Sequence, residues 1–315
     1  MGQLHKEIPI VFQCLENKLI GIIHQSANNS GLGVLLVVGG PQYRIGSHRQ
    51  FVLLARMLSA NGIPVMRFDY RGMGDSEGEL QSFSSVDNDI AAAIAAFYQV
   101  CPKLSGIVIW GLCNAASAAL FYAYQDDRVR GLVLLNPWVY TEQGAATVFL
   151  KHYYLQRLLN PDFWRKIFSL KFDFLESLDS LLMIFKKSLS KSAVVNNKVI
   201  KTDSAGVELV SVNLSLPIRM RECMRRFKYP VLLILSGKDL TADEFKDLIA
   251  SDAEWKSLLV DGRVTRYDFI ESDHTFSSSV WRDQVADWTL RWLTELNKQF
   301  KSEIKGTIRT LHHKK

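Results

Sequence analysis

The protein has 315 residues, 48% of them hydrophobic, and can bury a substantial core in one large domain or in a domain with an insertion. Its four cysteines are scattered without a Cys-x-x-Cys pair, which argues against a zinc site and a disulfide framework, so we expect no metal and no cofactor. The formal net charge of +6 accompanies no nucleic-acid-binding motif, so we expect no nucleic-acid partner. Because no apolar stretch has the length of a membrane span or of a signal region, we expect a cytoplasmic protein with free thiols.

The N-terminal part of the chain alternates between apolar runs and amphipathic segments. Two apolar runs at 8–12 and 19–23 predict a β-hairpin. The continuous apolar run at 34–38 predicts a strand that is buried on both faces. Further strands are predicted at 64–70, 106–110 and 131–135, separated by helices at about 48–60, 85–100 and 115–124. This β-α-β order predicts a mostly parallel, doubly wound sheet.

The alternation breaks after Pro137. Residues 140–228 offer aromatic, helical-looking segments and no strand of the same kind, which predicts a helical cap inserted before the last two core strands. The core pattern resumes with strands at 230–235 and 264–270 and helices at about 243–259 and 281–297. We therefore expect a core formed by 1–139 and 229–300, a cap (lid) at 140–228 and a flexible basic tail at 301–315.

Positive charge is concentrated in the predicted cap. Residues 151–228 contain fifteen Lys and Arg against seven Asp and Glu. A basic, aromatic-rich segment can contact an anionic membrane surface or an anionic substrate. A solvated basic face is the simpler interpretation, and membrane contact stays as the alternative.

The most informative motif is Gly111-Leu112-Cys113-Asn114-Ala115, which lies between a predicted strand and a predicted helix. A buried strand, a sharp turn and a helix are typical of a nucleophile elbow, in which the central residue is the nucleophile. Gly111 and Ala115 are small, as the close approach of helix and strand requires. The start of the following helix would stabilise a thiolate at Cys113. The alternative is that Cys113 is simply a small buried hydrophobic residue.

A cysteine nucleophile needs a base, and the base needs an acid that orients it. Asp239 and His274 each follow one of the last two predicted core strands, where loops present catalytic groups. We therefore expect a triad of Cys113, His274 and Asp239. Asp243 is the alternative acid. The alternative roles are a turn or helix cap for Asp239 and an ordinary loop position for His274.

Acyl transfer through a tetrahedral intermediate also needs N–H donors for the oxyanion. The Asn114 amide is the first candidate, and the second lies in the loop Gly39-Gly40-Pro41-Gln42. Because Pro41 has no amide hydrogen, the second donor must come from Gln42 or Gly40. This loop departs from the usual His-Gly-x pattern, which counts against catalysis.

Three segments, 39–51, 68–78 and 110–115, resemble the exosortase A system-associated hydrolase 1 family of bacteria. The Asp-x-Arg-Gly-x-Gly-x-Ser motif at 69–76 resembles the broader serine-aminopeptidase-like and monoacylglycerol-lipase-like branch of the α/β-hydrolases. From the residues alone, we interpret that motif as a buried turn in which Asp69 and Arg71 tie loops together. The resemblance implies an α/β-hydrolase fold and a bacterial cytosolic protein encoded with exopolysaccharide and protein-sorting machinery.

Together these residues favour a cysteine-nucleophile acyl hydrolase, an esterase or thioesterase, that acts on a small-molecule or lipid-like acyl substrate as a monomer or homodimer. An acyltransferase would use the same covalent intermediate but pass the acyl group to a hydroxyl group. A non-catalytic binding protein of the same fold is the third interpretation, supported by cysteine in place of serine and by Pro41.

Overall fold

The computed structural model describes residues 6–26, 31–40, 42–140, 201–202 and 208–312. Most of the segment predicted as a cap, 140–228, lies outside the described residues, and so does residue 41. None of the described helices is long and apolar enough to cross a membrane.

Ten strands are described, and eight of them form one sheet. In chain order they are β1 (Glu7–Cys14), β2 (Asn17–His24), β3 (Gly31–Val37), β4 (Val65–Phe68), β5 (Leu104–Leu112), β6 (Val129–Leu135), β7 (Lys201–Thr202), β8 (Glu208–Leu209), β9 (Val231–Lys238) and β10 (Val264–Asp273). The sheet order is β1-β2-β4-β3-β5-β6-β9-β10, and β7 pairs with β8. The predicted hairpin β1–β2 is antiparallel, β2 is antiparallel to β4, and all neighbours from β4 to β10 are parallel. This confirms the predicted doubly wound, mostly parallel sheet.

Helices cover both faces of this sheet. The described helices are α1 (Gln50–Ala60), α2 (Asp87–Val100), α3 (Asn114–Ala123), α4 (Leu216–Arg226), α5 (Leu240–Ser251), α6 (Ala253–Leu259) and α7 (Ser279–His312). One hydrophobic cluster contains side chains of α1 and α7, such as Phe51 and Leu293. The other contains side chains of α2 to α6, such as Ile94 and Phe245.

Strand β3 shows why a continuous apolar run is needed at the centre of the sheet. All seven of its residues are buried. Leu32, Val34 and Leu36 pack into the cluster of α1 and α7. Leu35 and Val37 pack into the opposite cluster. Because successive side chains of a strand point to opposite faces, a strand covered on both sides must be apolar at every position.

The helix predicted at about 243–259 is two helices in the structure. Asp252 has extended backbone angles, and its carboxylate accepts hydrogen bonds from the Glu254 and Trp255 amides. Asp252 therefore ends α5 and caps the N-terminus of α6. The apolar residues keep their helical spacing across this break, so the spacing does not reveal where α5 ends and α6 begins.

The last helix is longer than predicted. Helix α7 continues to His312 and so extends into the segment 301–315, which was predicted as a flexible basic tail. Lengthening an existing helix adds one hydrogen bond for each residue that is fixed, and this segment contains no proline to stop it. Residues 313–315 lie outside the described residues.

A buried polar pair joins the antiparallel edge of the sheet. His24 on β2 and Arg67 on β4 are both almost completely buried, and the Arg67 Nε donates to the His24 Nε2 over 2.9 Å. Burial, followed by the charge of Arg67, lowers the pKa of His24 to about 4, although Glu7 acts in the opposite direction. His24 is therefore neutral near pH 7.

We expect this pair to make the free energy of unfolding depend on pH. The pKa of His24 is lower in the folded protein than in the unfolded chain. The buried neutral histidine therefore stabilises the folded state above about pH 6.5, and this stabilisation is lost as the pH falls toward 4. Between pH 7 and pH 5, the wild type should lose about 2 kcal/mol more than His24→Gln does. Urea unfolding of both proteins at the two pH values measures this difference, and equal losses would contradict the assignment.

Candidate active site

The tight turn after β5 places Cys113 at the carboxyl edge of the sheet. Cys113 has φ 61° and ψ −127°, and α3 begins at the next residue. A positive φ is strained for any residue with a side chain and is common at functional sites. A hydrogen bond to the neighbouring strand β6 fixes the turn, since the Cys113 N–H donates to the Leu135 carbonyl over 2.8 Å.

The structure confirms that this turn requires small neighbours. A Cβ atom added to Gly111 would lie 2.6 Å from the carbonyl carbon of Ala115, closer than any real contact allows. The Cys113 carbonyl also accepts from the Ala116 N–H over 3.0 Å, which closes the first turn of α3. Cys113 is thus held at the positive end of a helix, with its side chain half-buried.

The structure brings Asp239 and His274 together. The His274 Nδ1 and the Asp239 Oδ2 are 2.7 Å apart. Asp239 also accepts from the Thr241 and Ala242 amides at the start of α5, so it both caps the helix and contacts the histidine. The alternative acid, Asp243, instead pairs with Lys246 over 3.1 Å.

The Cys113 side chain also acts on His274. The hydrogen bond with Asp239 and then the interaction with the Cys113 side chain raise the pKa of His274 to about 10, although burial acts in the opposite direction. The imidazole is therefore protonated at neutral pH and lies between a carboxylate and a sulfur atom. A thiolate in this position would face a full positive charge.

One of the two loop amides proposed for the oxyanion is already occupied. The Gly40 N–H donates to the side-chain Oδ1 of Asn114 over 2.8 Å. A Cβ atom on Gly39 would lie 2.2 Å from this same oxygen, so the contact needs a glycine at 39. Gly40 is therefore engaged inside the protein, which leaves the Gln42 amide as the donor from this loop.

The first predicted donor, the Asn114 N–H, belongs to the first residue of α3, where backbone amides have no partner within the helix. The side chain of Gln42 donates to the Ser47 Oγ over 2.9 Å, which fixes this residue within its loop. Pro41, whose missing N–H counted against catalysis, lies outside the described residues.

The loop that contains Gln42 is anchored through Arg44. The fully buried Asp69 accepts from the Arg44 N–H over 2.6 Å and also binds the Arg44 guanidinium. Arg44 contacts Asp75 as well, and the Arg67 guanidinium donates to the Arg44 carbonyl over 2.7 Å. Asp69 and Asp75 of the 69–76 motif therefore hold the proposed oxyanion loop in place.

Arg71 of the same motif forms hydrogen bonds with the buried Asp89 on α2. Gly72 and Gly74 both have positive φ, and a Cβ atom on Gly74 would lie 2.3 Å from the Asp69 carboxylate. The contacts agree with the predicted turn that ties loops together, but the turn is only partly buried, since Gly74 and Asp75 are exposed.

Sequence analysis missed two polar residues beside the site, Asn136 and Ser236. Both are completely buried. Asn136 directly follows the apolar strand β6 and has φ 43°. An asparagine at the end of a buried strand was the available signal, because a polar side chain in that place needs partners inside the protein.

Comparison with known families places this chain. The profile described as serine aminopeptidase, S33, a hydrolase family, matches residues 34–250, which is more than half of the sequence. The chain belongs to the S33 family. No curated protein sequence matches it.

Solved structures share the fold of this S33-family chain at low sequence identity. An esterase of Pyrococcus furiosus, Pf2001, is 16% identical with a TM-score of 0.60, over 94% of this chain and 95% of its own. A dienelactone hydrolase of Anabaena variabilis is 13% identical with a TM-score of 0.57, over 93% and 99%. Est1E of Butyrivibrio proteoclasticus, solved with ferulic acid, is 13% identical with a TM-score of 0.54, over 90% and 98%. The fold is that of an α/β-hydrolase.

In this S33-family hydrolase, a cysteine occupies the elbow position of a family whose name specifies serine. Among the residues that the structure describes, no group of three or more His, Cys, Asp or Glu could hold a metal ion. The chemistry available at the described carboxyl edge is that of a thiol, an imidazole and a carboxylate.

Proposed function

We propose that this protein is a cysteine-dependent acyl hydrolase, which cleaves esters or thioesters with Cys113 as nucleophile, His274 as acid and base, and Asp239 as the orienting acid. The observation that carries the proposal is the position of His274, whose Nδ1 lies 2.7 Å from the Asp239 Oδ2 and whose pKa is raised by Asp239 and by the Cys113 side chain. The three residues come from loops after β5, β10 and β9, and they meet in the order of contact that nucleophilic catalysis requires. The esterases of the same fold support this substrate class.

The first half of the reaction forms an acyl-enzyme. The Cys113 thiolate attacks the substrate carbonyl, and a sulfur–carbon bond forms while the carbonyl oxygen takes up negative charge. The Asn114 and Gln42 amides donate to this oxyanion. When the intermediate collapses, the bond to the leaving group breaks, and the His274 imidazolium gives its proton to the departing atom.

The second half of the reaction returns the enzyme to its starting state. Neutral His274 takes a proton from water, and the hydroxide attacks the carbonyl of the acyl-enzyme. Collapse of this intermediate breaks the sulfur–carbon bond and releases the acid, and Cys113 leaves as a thiolate beside the imidazolium. Asp239 keeps its hydrogen bond with His274 and holds the imidazole in place.

The same arrangement favours leaving groups that need little protonation. The raised pKa of His274 makes the imidazolium a weak acid. In the intermediate formed from an alkyl ester, the thiolate of Cys113 is a better leaving group than the alkoxide, so the intermediate returns to substrate. With a thioester, both competing leaving groups are thiolates. We therefore expect thioesters to be better substrates than matched alkyl esters.

Matched substrates test this function. For a thioester and an ethyl ester of the same short acyl group, we expect kcat/KM to favour the thioester by about 100-fold, a difference of about 2.7 kcal/mol in barrier. In Cys113→Ser the preference should nearly disappear, because serine is not expelled ahead of an alkoxide. Mass spectrometry of the quenched reaction should find the acyl group on Cys113. Absence of turnover on both substrates, with no acyl group on Cys113, would contradict the proposal.

The resemblance of segments 39–51, 68–78 and 110–115 to the exosortase A system-associated hydrolase 1 family supports a bacterial exopolysaccharide and exosortase setting for this hydrolase. In that setting the acyl-enzyme could also pass its acyl group to a sugar hydroxyl. A polyol acceptor added to the assay distinguishes the two reactions. Free acid as the product at every acceptor concentration indicates hydrolysis, and diversion into an acylated polyol indicates transfer.

A further inference from the structure

Asn136 lies at the end of β6, where its side chain contacts two other strand ends. Its Nδ2 donates to the Ser236 Oγ over 2.8 Å and to the His274 carbonyl over 3.0 Å. Its Oδ1 accepts from the Ser236 N–H over 2.8 Å. The side chain therefore joins the end of β6 to the end of β9 and to the loop after β10.

These contacts fix the orientation of the amide. The His274 carbonyl can only accept a hydrogen bond, and the Ser236 N–H can only donate one. The Nδ2 group of Asn136 must therefore face His274, and the Oδ1 must face the backbone of Ser236. An aspartate would have the same shape, but it would place a second acceptor against the His274 carbonyl.

Ser236 completes the connection. Its hydroxyl donates to the Asp273 carbonyl over 2.8 Å while it accepts from Asn136. The Ser236 carbonyl accepts from the Lys246 Nζ over 2.6 Å, which ties the same point to α5. Asp273 directly precedes His274, and Ser236 lies three residues before Asp239 in the sequence.

We propose that Asn136 and Ser236 are positioning residues, which hold the loops of His274 and Asp239 at the separation that keeps the imidazole between Asp239 and Cys113. For its catalytic consequence this inference rests on the proposed function. Both residues bond to the backbone of the histidine loop itself, and the 2.7 Å contact between His274 and Asp239 leaves little room for displacement.

The experiment uses Asn136→Ala, Asn136→Asp, Ser236→Ala and Ser236→Thr. The control is Thr289→Ala, which also removes a buried side-chain hydrogen bond, between Thr289 and the Val285 carbonyl within α7. We expect Asn136→Ala, Asn136→Asp and Ser236→Ala to lower kcat by about 100-fold with little change in KM, because misplaced catalytic groups lose rate rather than binding. Ser236→Thr keeps a hydroxyl and should retain most of the rate.

A readout besides activity separates positioning from stability. NMR titration of the imidazole protons should show the pKa of His274 falling toward the ordinary histidine value in Asn136→Ala, because the contact with Asp239 is lost. Thr289→Ala should lower the urea midpoint without moving this pKa. If Asn136→Ala lowers the midpoint but leaves both kcat and the pKa of His274 unchanged, the positioning role is overturned.

The two failures are distinguishable. If the wild type turns over no acyl substrate and the reactivity of Cys113 does not depend on His274, the proposed function fails. The pKa of His274 in Asn136→Ala and Ser236→Ala then decides the positioning role alone. A fall in the pKa supports it, and an unchanged pKa overturns it.

Discussion

Replacing Cys113 by alanine is expected to lower kcat/KM for acyl substrates by about 10⁴-fold, because the covalent route disappears with the sulfur atom. The matched control is Cys14→Ala, which removes a buried thiol from the hairpin at the edge of the sheet, three strands away from β5. Steady-state kinetics with a thioester substrate measure both variants. A Cys113→Ala rate within a few-fold of the wild-type rate would exclude cysteine as the nucleophile.

The loss in Cys113→Ala should come without unfolding. The turn at 113 is held by backbone hydrogen bonds to Leu135 and Ala116, which alanine keeps. The thiol itself contacts His274 and is half-buried. Urea unfolding of the variant should therefore stay close to that of the wild type, so that an inactive but folded protein isolates the chemical role.

Replacing Asp69 by alanine is expected to reduce the free energy of unfolding by about 3–5 kcal/mol, because the Arg44 guanidinium then keeps only its exposed partner Asp75 and the Arg44 and Asp75 amides lose their acceptor. Asp69 is completely buried and binds both the backbone and the guanidinium of Arg44. Asp75 binds the same guanidinium, but its side chain is 61% exposed. Asp75→Ala should therefore cost less than about 1 kcal/mol.

Urea unfolding measures the loss of stability in Asp69→Ala and in Asp75→Ala. The two variants can be compared directly because both aspartates bind the same residue, Arg44. Equal losses would show that Asp69 is no more than a surface ion-pair partner. Because Arg44 follows Gln42 by two residues, Asp69→Ala should also reduce activity at temperatures where the protein stays folded. Such a loss would mean that the 69–76 motif supports catalysis through the loop that presents the proposed oxyanion donor.

Much of the fold follows from periodicity and strand position. The apolar run of β3 required burial on both faces, and its side chains do alternate between the two hydrophobic clusters. The placement of Cys113, Asp239 and His274 followed from the rule that parallel strands end at one edge of a sheet. The structure brings these three side chains together because of this geometry, which is local to each strand end.

Contacts between residues that are far apart in the sequence could not be predicted from periodicity or strand position. The engagement of Gly40 by Asn114 joins residues 74 positions apart, and the bond between Asn136 and Ser236 spans 100 positions. Each residue alone has several possible partners, and only the packed sheet selects one. The break at Asp252 was missed for a different reason, since a single capping side chain decided it against an uninterrupted apolar pattern.

The Gly40–Asn114 hydrogen bond adds a feature that the motif alone did not reveal. The Oδ1 of Asn114 binds the Gly40 amide, while the backbone N–H of the same asparagine stays at the free end of α3. Asn114 therefore has two roles, since its side chain shapes the loop and its backbone faces the proposed oxyanion. The loop can tolerate the departure from the His-Gly-x pattern if Gln42 supplies the second amide.

The most direct measurement is the rate of Cys113 alkylation by iodoacetamide as a function of pH, in the wild type and in His274→Ala, with Cys14 in the same protein as the internal reference. Peptide mass spectrometry reports both sites. The account predicts that Cys113 reacts rapidly at pH values where ordinary thiols are protonated, and that His274→Ala removes this reactivity. If Cys113 follows the same pH dependence as an ordinary thiol and ignores His274, the pair has no catalytic role and the protein is a binding member of its fold.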